Sequence, residues 1–266
     1  MPALVSKSLR DYRRALIGWT IGVSAFLLLY LSVYSSIVSD PDLYNRAALA
    51  KYPGALRDLM GGLENFTTGA GYLQVVAYQL FGPLLLIMCA VILGNRAIAQ
   101  PEEAGTLELT LALPIDRRRL VLERHAALAL GLLAVGLVTF ALVAGMAAAH
   151  DMGVPFGNIA AAHAGLYLLM LLFGTTTVAV GAATGRKGLA LAVTGVWAVG
   201  GYVVETLGRD VTAISWLRWL SPFHYYLDGK PVYQGLPLGD YGVLAGATIV
   251  LLLVAMLTFD RRDVGV

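Results

Sequence analysis

Six apolar runs decide what this chain can fold into. They cover about Ala15–Val38, Tyr72–Gly94, Ala126–Ala149, Ile159–Ala183, Gly188–Leu207 and Gly239–Phe259. A helix rising about 1.5 Å per residue needs roughly 20 residues to cross a hydrocarbon core about 30 Å thick, and each run is that long. In lipid, every backbone N–H and C=O must be paired within the protein, which leaves helices or closed barrels. The runs lack the alternation of barrel strands, so they read as helices. Hydrophobic residues make up 58% of the chain and charged residues only 14%, against about a quarter charged in a soluble domain. The expected fold is all-α: a single polytopic membrane domain over residues 1–266 with six transmembrane helices.

Lys and Arg set the orientation. If the N-terminus is inside, the cytoplasmic segments hold thirteen of the nineteen: Lys7, Arg10, Arg13 and Arg14, then five between 95 and 125, Arg186 with Lys187, and Arg261 with Arg262. Arg46, Lys51, Arg57, Arg209, Arg218 and Lys230 fall outside. Both termini are therefore expected in the cytoplasm. The net charge of +2 follows from this topology and carries no message about nucleic acid. The first run ends Tyr34-Ser35-Ser36-Ile37-Val38-Ser39, without a small-x-small cleavage site, and reads as a permanent helix. Cys89 is the single cysteine and lies in the second run, so neither a disulfide framework nor a Cys-based metal site is expected. Fifteen Arg against four Lys, with abundant Ala and Gly, is the composition of a GC-rich bacterial genome.

Ahead of the first run, Leu4, Leu9, Tyr12, Leu16 and Ile17 alternate with Lys7, Arg10, Arg13 and Arg14. This pattern reads as an amphipathic interfacial helix leading into the membrane, or as a plain basic flank. The outer segment 39–71 carries Asp40-Pro41, Tyr52-Pro53-Gly54 and Gly61-Gly62, with a helical pattern around Leu56, Leu59, Met60 and Leu63. The outer segment 208–238 is aromatic: Trp216, Trp219, Phe223, Tyr225, Tyr226 and Tyr233. Such residues anchor helices at the interface, or here form a lid or re-entrant element. No internal repeat is evident.

The chain has no phosphate-binding loop; Gly181-Ala182-Ala183-Thr184-Gly185-Arg186-Lys187 has the wrong spacing. ATP hydrolysis is not expected of it, nor is any other enzymatic activity. Intramembrane proteolysis needs a catalytic constellation, whereas His163, His125, His150 and His224 are scattered. Glu102-Glu103 begins like an E-E-x-x-x-R endopeptidase signature, but Leu107 stands where Arg is required. Apart from Asp240 at the very start of the last run, Glu205 is the one acid inside an apolar run. With Thr194, Trp197 and Gly201 it lies on one face of the fifth helix. Arg209 at i+4 offers an ion pair near the outer surface, and a role on a substrate path is the other reading. Thr20, Ser24, Tyr34 and Ser35 form a similar small and polar stripe on the first helix, suited to a helix–helix seam or a wet path.

Between the second and third runs lies the one strongly charged segment. Three arginines, Arg117 to Arg119, would cost on the order of 8–10 kcal/mol if submerged, so it must sit in water. It reads Glu102-Glu103-Ala104-Gly105-Thr106-Leu107-Glu108-Leu109, then Leu113-Pro114-Ile115-Asp116-Arg117, and closes at Arg124. This resembles the E-E-x-G-T-x-E-x-L-x-x-x-P-x-S-R…K pattern after the second helix of ABC-2 type exporter permeases. The six spans, the basic start and Ser221-Pro222-Phe223-His224-Tyr225 extend the resemblance over almost the whole chain. It is most similar to the permeases grouped with polyketide-antibiotic and multidrug exporters, at half their frequent twelve-span size. Asp116 stands in place of the usual Ser, and Arg124 with His125 in place of the usual Lys.

The resemblance implies a multi-pass permease of the inner (cytoplasmic) membrane that binds no cofactor itself. ATP and Mg would be held by a separate ATPase, in two copies, and a second permease protomer, identical or a sister chain, would complete the pump. It also implies that the segment forms a coupling helix against the ATPase through Glu102, Glu103, Gly105, Thr106, Glu108, Pro114 and Arg117. The residues agree in part. Pro101 and Pro114 read as breakers, Asp116 as a cap for a helix starting at Arg117, and Gly105 as a bend. Leu107, Leu109, Leu111 and Leu113 recur with period two, which does not itself indicate a helix. In the resembling family the stripes holding Thr20, Ser24, Tyr34, Trp197, Gly201 and Glu205 face the sister protomer. No Arg or Lys sits in the middle of a span, which favours an amphipathic or hydrophobic cargo over a polysaccharide. A secondary transporter or channel working without an ATPase is the alternative, although it usually places ionisable residues at mid-membrane.

Overall fold

The computed structural model describes residues 3–39, 65–112, 114–209 and 211–262. The helical pattern around Leu56 to Leu63 lies outside these residues, as does Leu113. Every regular element among the described residues is helical, and six helices are long and apolar enough to cross a membrane. Helix α1 (Ala3–Ser32) and α2 (Tyr34–Ser39) make the first span. The second is α3 (Gly69–Leu73), a π-helical turn (Gln74–Gln79) and α4 (Phe81–Asn95). Short helices α5 (Ala99–Glu103) and α6 (Leu107–Leu111) lead to α7 (Arg117–Ala149), α8 (Phe156–Thr184) and α9 (Lys187–Leu207). A 3₁₀ helix (Thr212–Leu220), α10 (Pro222–Leu227) and α11 (Pro231–Gln234) precede the last span, α12 (Leu238–Arg261).

The basic start and the first span form one helix. Helix α1 runs unbroken from Ala3. Val5, Tyr12, Val23, Leu27 and Leu31 are buried, α1 lies along α7, and Lys7, Arg10, Arg13 and Arg14 stay exposed. Ile17, expected on the apolar face, points away from the bundle.

The second span is broken where a continuous helix was expected, and Gly82-Pro83 explains the break. Pro83 has no N–H for the carbonyl four residues earlier, and its ring would clash with that carbonyl. The chain answers with the π-helical turn and a kink at Leu80. A Cβ at residue 82 would meet the Ala77 carbonyl oxygen at 1.8 Å, so only glycine fits there. Tyr226 of α10 reaches this turn, its hydroxyl donating to the Tyr78 carbonyl at 2.8 Å. Tyr78 in turn places its own hydroxyl 2.6 Å from His163 Nδ1 of α8. The aromatic segment is thus divided: Phe223 and Tyr226 are buried among the spans, whereas Trp216 and Trp219 are exposed.

Helix α8 is the axis of the bundle, in contact with α4, α7, α9 and α12. Its threonines return their hydroxyls to carbonyls one turn back, which lets a polar side chain lie inside an apolar bundle. Thr175 also meets His125 of α7 at 2.9 Å, and Thr177 meets Thr194 of α9 at 3.2 Å. Against α12 the approach is close at Gly165, where a Cβ would fall 2.1 Å from the Tyr241 hydroxyl oxygen. That hydroxyl donates to the Ala161 carbonyl at 2.9 Å.

Gly165→Ala should therefore lower the thermal midpoint of the detergent-purified protein, by an overpacking cost of about 1–3 kcal/mol. Gly145→Ala, at a helical glycine with nothing within 4 Å, should leave it unchanged or raise it. Equal midpoints for the two variants would contradict the α8–α12 packing.

Candidate functional site

The bundle has two polar ends. The thirteen basic residues assigned to one side gather at one end, where α1 begins, α4 ends, α7 begins, α8 turns into α9 and α12 stops. Helix α8 stops at Gly185, whose φ of +68° permits the left-handed C-terminal turn, and α9 starts two residues later.

The charged segment is built into this end by its first two carboxylates. Glu102 takes the Arg262 guanidinium at the end of α12. Glu103 accepts the backbone N–H of Lys187 at 2.7 Å, so its carboxylate caps the start of α9. Negative charge on the unpaired N–H groups of a helix start is stabilising. Residues 84 and 160 positions away in sequence are the partners, which no local pattern could indicate. Arg117 donates to the Arg262 carbonyl, and Arg118 pairs with Asp260 at 2.8 Å.

Gly105, at φ +67°, turns the chain between α5 and α6. Thr106 closes that turn, its N–H and hydroxyl both donating to the Pro101 carbonyl, at 2.9 and 3.1 Å. Pro101, read from sequence as a breaker, instead sits in the first turn of α5, where its missing N–H costs nothing. The leucines, read as period two, lie partly on a helix. Leu107 and Thr110 are buried one turn apart, while Leu109 is 75% exposed. Glu103, Gly105, Thr106, Glu108 and Leu109 form a continuous exposed edge, and Pro114 is exposed beyond it. Asp116 caps α7, accepting from the N–H groups of Arg118 and Arg119 at 2.8 and 3.1 Å. One buried acid escaped the sequence reading: Glu123, paired with Arg119 at 2.7 Å, lies on α7 ahead of the apolar run that begins at Ala126. Arg119 at i−4 was the available signal.

At the other end, Glu205 has 0% exposure and is held by more than the expected Arg209. Arg209 donates to Oε1 at 2.9 and 3.1 Å, and Arg218 reaches both carboxylate oxygens at 3.0 and 3.1 Å. His224 Nδ1 lies 3.4 Å from Oε2, and Asp228 lies 3.4 Å from Arg218. The hydrogen bond to Glu205 holds the Arg218 guanidinium above its ordinary range. Glu205 thus pins the 3₁₀ helix and α10 onto the end of α9. Ser221 helps, donating its hydroxyl to the Gly201 carbonyl at 2.8 Å and capping α10 through Phe223 N–H at 3.1 Å.

The two stripes are not brought together in one lined path among the described residues. Tyr34 packs tilted against Tyr72 with ring centres 5.2 Å apart, and Trp197 meets Phe173 edge to face at 5.3 Å. Thr20 and Ser24 are half-buried on α1, the Ser24 hydroxyl without a partner among the described residues. Gly201 is buried against Ser221 and Phe223 of its own chain. The cleft that Trp197 and Gly201 line, about 540 Å³, contains no residue of α1.

Removing Arg218 leaves Glu205 with the exposed Arg209 and the His224 ring, 3.4 Å away, as its partners. Arg218→Met should destabilise the protein by about 3 kcal/mol, the lower part of the range for a broken buried pair. Adding Glu205→Gln should restore much of the loss, since no buried charge is then stranded. A double-mutant cycle on unfolding in detergent reads this, and additive losses would contradict the coupling.

A family model described as ABC-2 family transporter protein matches residues 3–264. No curated protein matches the chain.

Proposed function

Because the chain belongs to the ABC-2 family of transporter proteins, we propose that it is the membrane-spanning permease subunit of an ATP-driven exporter. Two copies of a separate ATPase would dock at the basic end, which faces the cytoplasm of a bacterial cell across its inner membrane. A second permease protomer, identical or a sister chain, would complete the pump. The uncovered apolar side of α9, with Val193, Val196, Val199 and Val203, suits such a partner.

One observation carries this reading. The exposed edge from Glu103 to Leu109 is tied by Glu102 to the end of α12 and by Glu103 to the start of α9. A push on that edge by an ATPase would be delivered to the ends of two spans through charge-assisted contacts, with no loop between to absorb it. Gly105 and Pro114 shape the edge, while Thr106 and Arg117 brace it. Glu108 and Leu109 are the side chains free to meet a partner. Replacing Glu103, Gly105 and Glu108 together should abolish substrate-stimulated ATP hydrolysis by the complex without preventing membrane insertion. Glu108→Gln with Leu109→Ala should weaken ATPase recruitment at least tenfold while the thermal midpoint stays at the wild-type value. Wild-type coupling in the first variant would remove the role of this edge.

For the cargo, we favour an amphipathic or hydrophobic compound, such as a drug, antibiotic or lipid-like molecule. A cleft of about 290 Å³ opens between α4 and α9, with Pro83, Met88, Ala198, Tyr202 and Phe223 in its apolar wall. Ligand sites of this kind bury apolar surface and fix orientation with few polar groups. An anionic polysaccharide would call for cations along its route. This cargo reading also fits the permeases of polyketide-antibiotic and multidrug exporters. A strain lacking the gene should become more sensitive to some amphipathic compounds, and a broad panel with no shift would rule out drug export.

A further inference from the structure

At the basic end, α1 and the segment after the second span do not close on each other. A cavity of about 440 Å³ lies between them, with Arg124 of α7 on its third side. This is within the size range of ligand pockets, about 300–1,000 Å³. Three cations line it: Lys7 from α1, Arg96 from the end of the second span and Arg124 from α7. Asp11 is its one carboxylate. Lys7, Arg96 and Asp11 make no ion pair with any described residue. Arg124 gives one N–H to the Ala97 carbonyl, which leaves most of its five donors unused. The hydroxyls of Ser8, Tyr12 and Thr110 and the Gln100 amide complete the polar lining, the Thr106 hydroxyl being given to the Pro101 carbonyl.

The charge in this cavity is unbalanced. Three like charges around a partly buried space repel one another, and water held there screens them less than bulk solvent does. An anion would offset that repulsion. Guanidinium groups donate in a fixed fork that matches phosphate oxygens, and a Lys ammonium adds a point charge. Hydroxyls can donate to the remaining oxygens. Tyr12, at the inner wall, precedes the first apolar run by less than one helical turn. The cavity therefore lies at the level where the phosphates of a bilayer leaflet meet its hydrocarbon.

We propose that this cavity binds a phosphate group, supplied by the head group of an anionic phospholipid. The bound phosphate would sit between Lys7, Arg96 and Arg124 and brace α1 against the segment that carries α5 and α6. The chemistry is shared with soluble phosphate, so the source is settled by experiment. The inference concerns the isolated chain and does not depend on export.

The test uses the full chain, delipidated in detergent, with thermal midpoints measured during titration. The titrants are phosphatidylglycerol, phosphatidylcholine, and glycerol phosphate or inorganic phosphate. Phosphatidylglycerol should raise the midpoint saturably, and phosphatidylcholine should not. Lys7→Gln with Arg96→Gln should weaken phosphatidylglycerol binding at least tenfold. Asp11→Asn should tighten it severalfold, an effect that a damaged fold would not produce. If the soluble phosphates saturate the site as well as the lipid does, the site stands and its ligand is a free phosphate. Equal responses to the two lipids, an undiminished response in the Lys7/Arg96 variant, or no response to any titrant would overturn the proposal.

Discussion

Four spans can reach the centre of this bundle only because α8 offers them so little side chain. Gly165 admits the Tyr241 hydroxyl, and Gly94 of α4 sits so close that a Cβ there would lie 2.5 Å from the Gly174 carbonyl oxygen. In lipid there is no hydrophobic drive to press helices together, so close backbone approach and hydrogen bonds must hold them. The threonines of α8 and the Tyr241 bond do the second, and the small residues do the first. The orientation of α9 follows from its contact with α8, and the position of α12 follows from Tyr241.

The charges are then forced to the ends, and each end uses them differently. At one end Glu205 is fully enclosed and gathers Arg209, Arg218 and His224, so its charge is spent on fixing α10 and the 3₁₀ helix. At the other, Glu102 and Glu103 are spent on fastening a short surface segment to helix ends. The first arrangement closes a face of the bundle. The second leaves an edge standing out of it, with Leu109 as its most prominent apolar side chain.

The six spans were legible in the sequence because lipid demands long, uniform apolarity, which local composition records directly. Asp116 was legible too, since a cap acts on the residues that follow it. The break in the second span had a local signal in Gly82-Pro83 that the overall apolarity of the run concealed. The polar partners were of another kind. Arg209 lies one turn from Glu205 and could be read, but Arg218 lies 13 residues away on a separate element. Arg262 and Lys187 reach the charged segment only after the whole bundle has folded. Gly201 was readable as a place of close approach, but what approaches it is Ser221 of its own chain. The contacts of the candidate coupling edge with a partner are not recorded in the fold of one chain at all.

The π-helical turn has a geometric consequence for the span that contains it. A wider turn takes up one residue more than an α-helical turn would, which amounts to a rotation of about 100° between the parts on either side. Residues 69–73 and 81–95 therefore present sides of the sequence that one unbroken helical winding would not align. Position 74–79 works as a phase shift in an otherwise regular winding. Deleting one residue there would keep the run apolar and long enough to span, yet would bring the two parts into register on the wrong face. The Tyr226 hydroxyl would then lose its buried acceptor. The length of this span is constrained by phase as much as by membrane thickness.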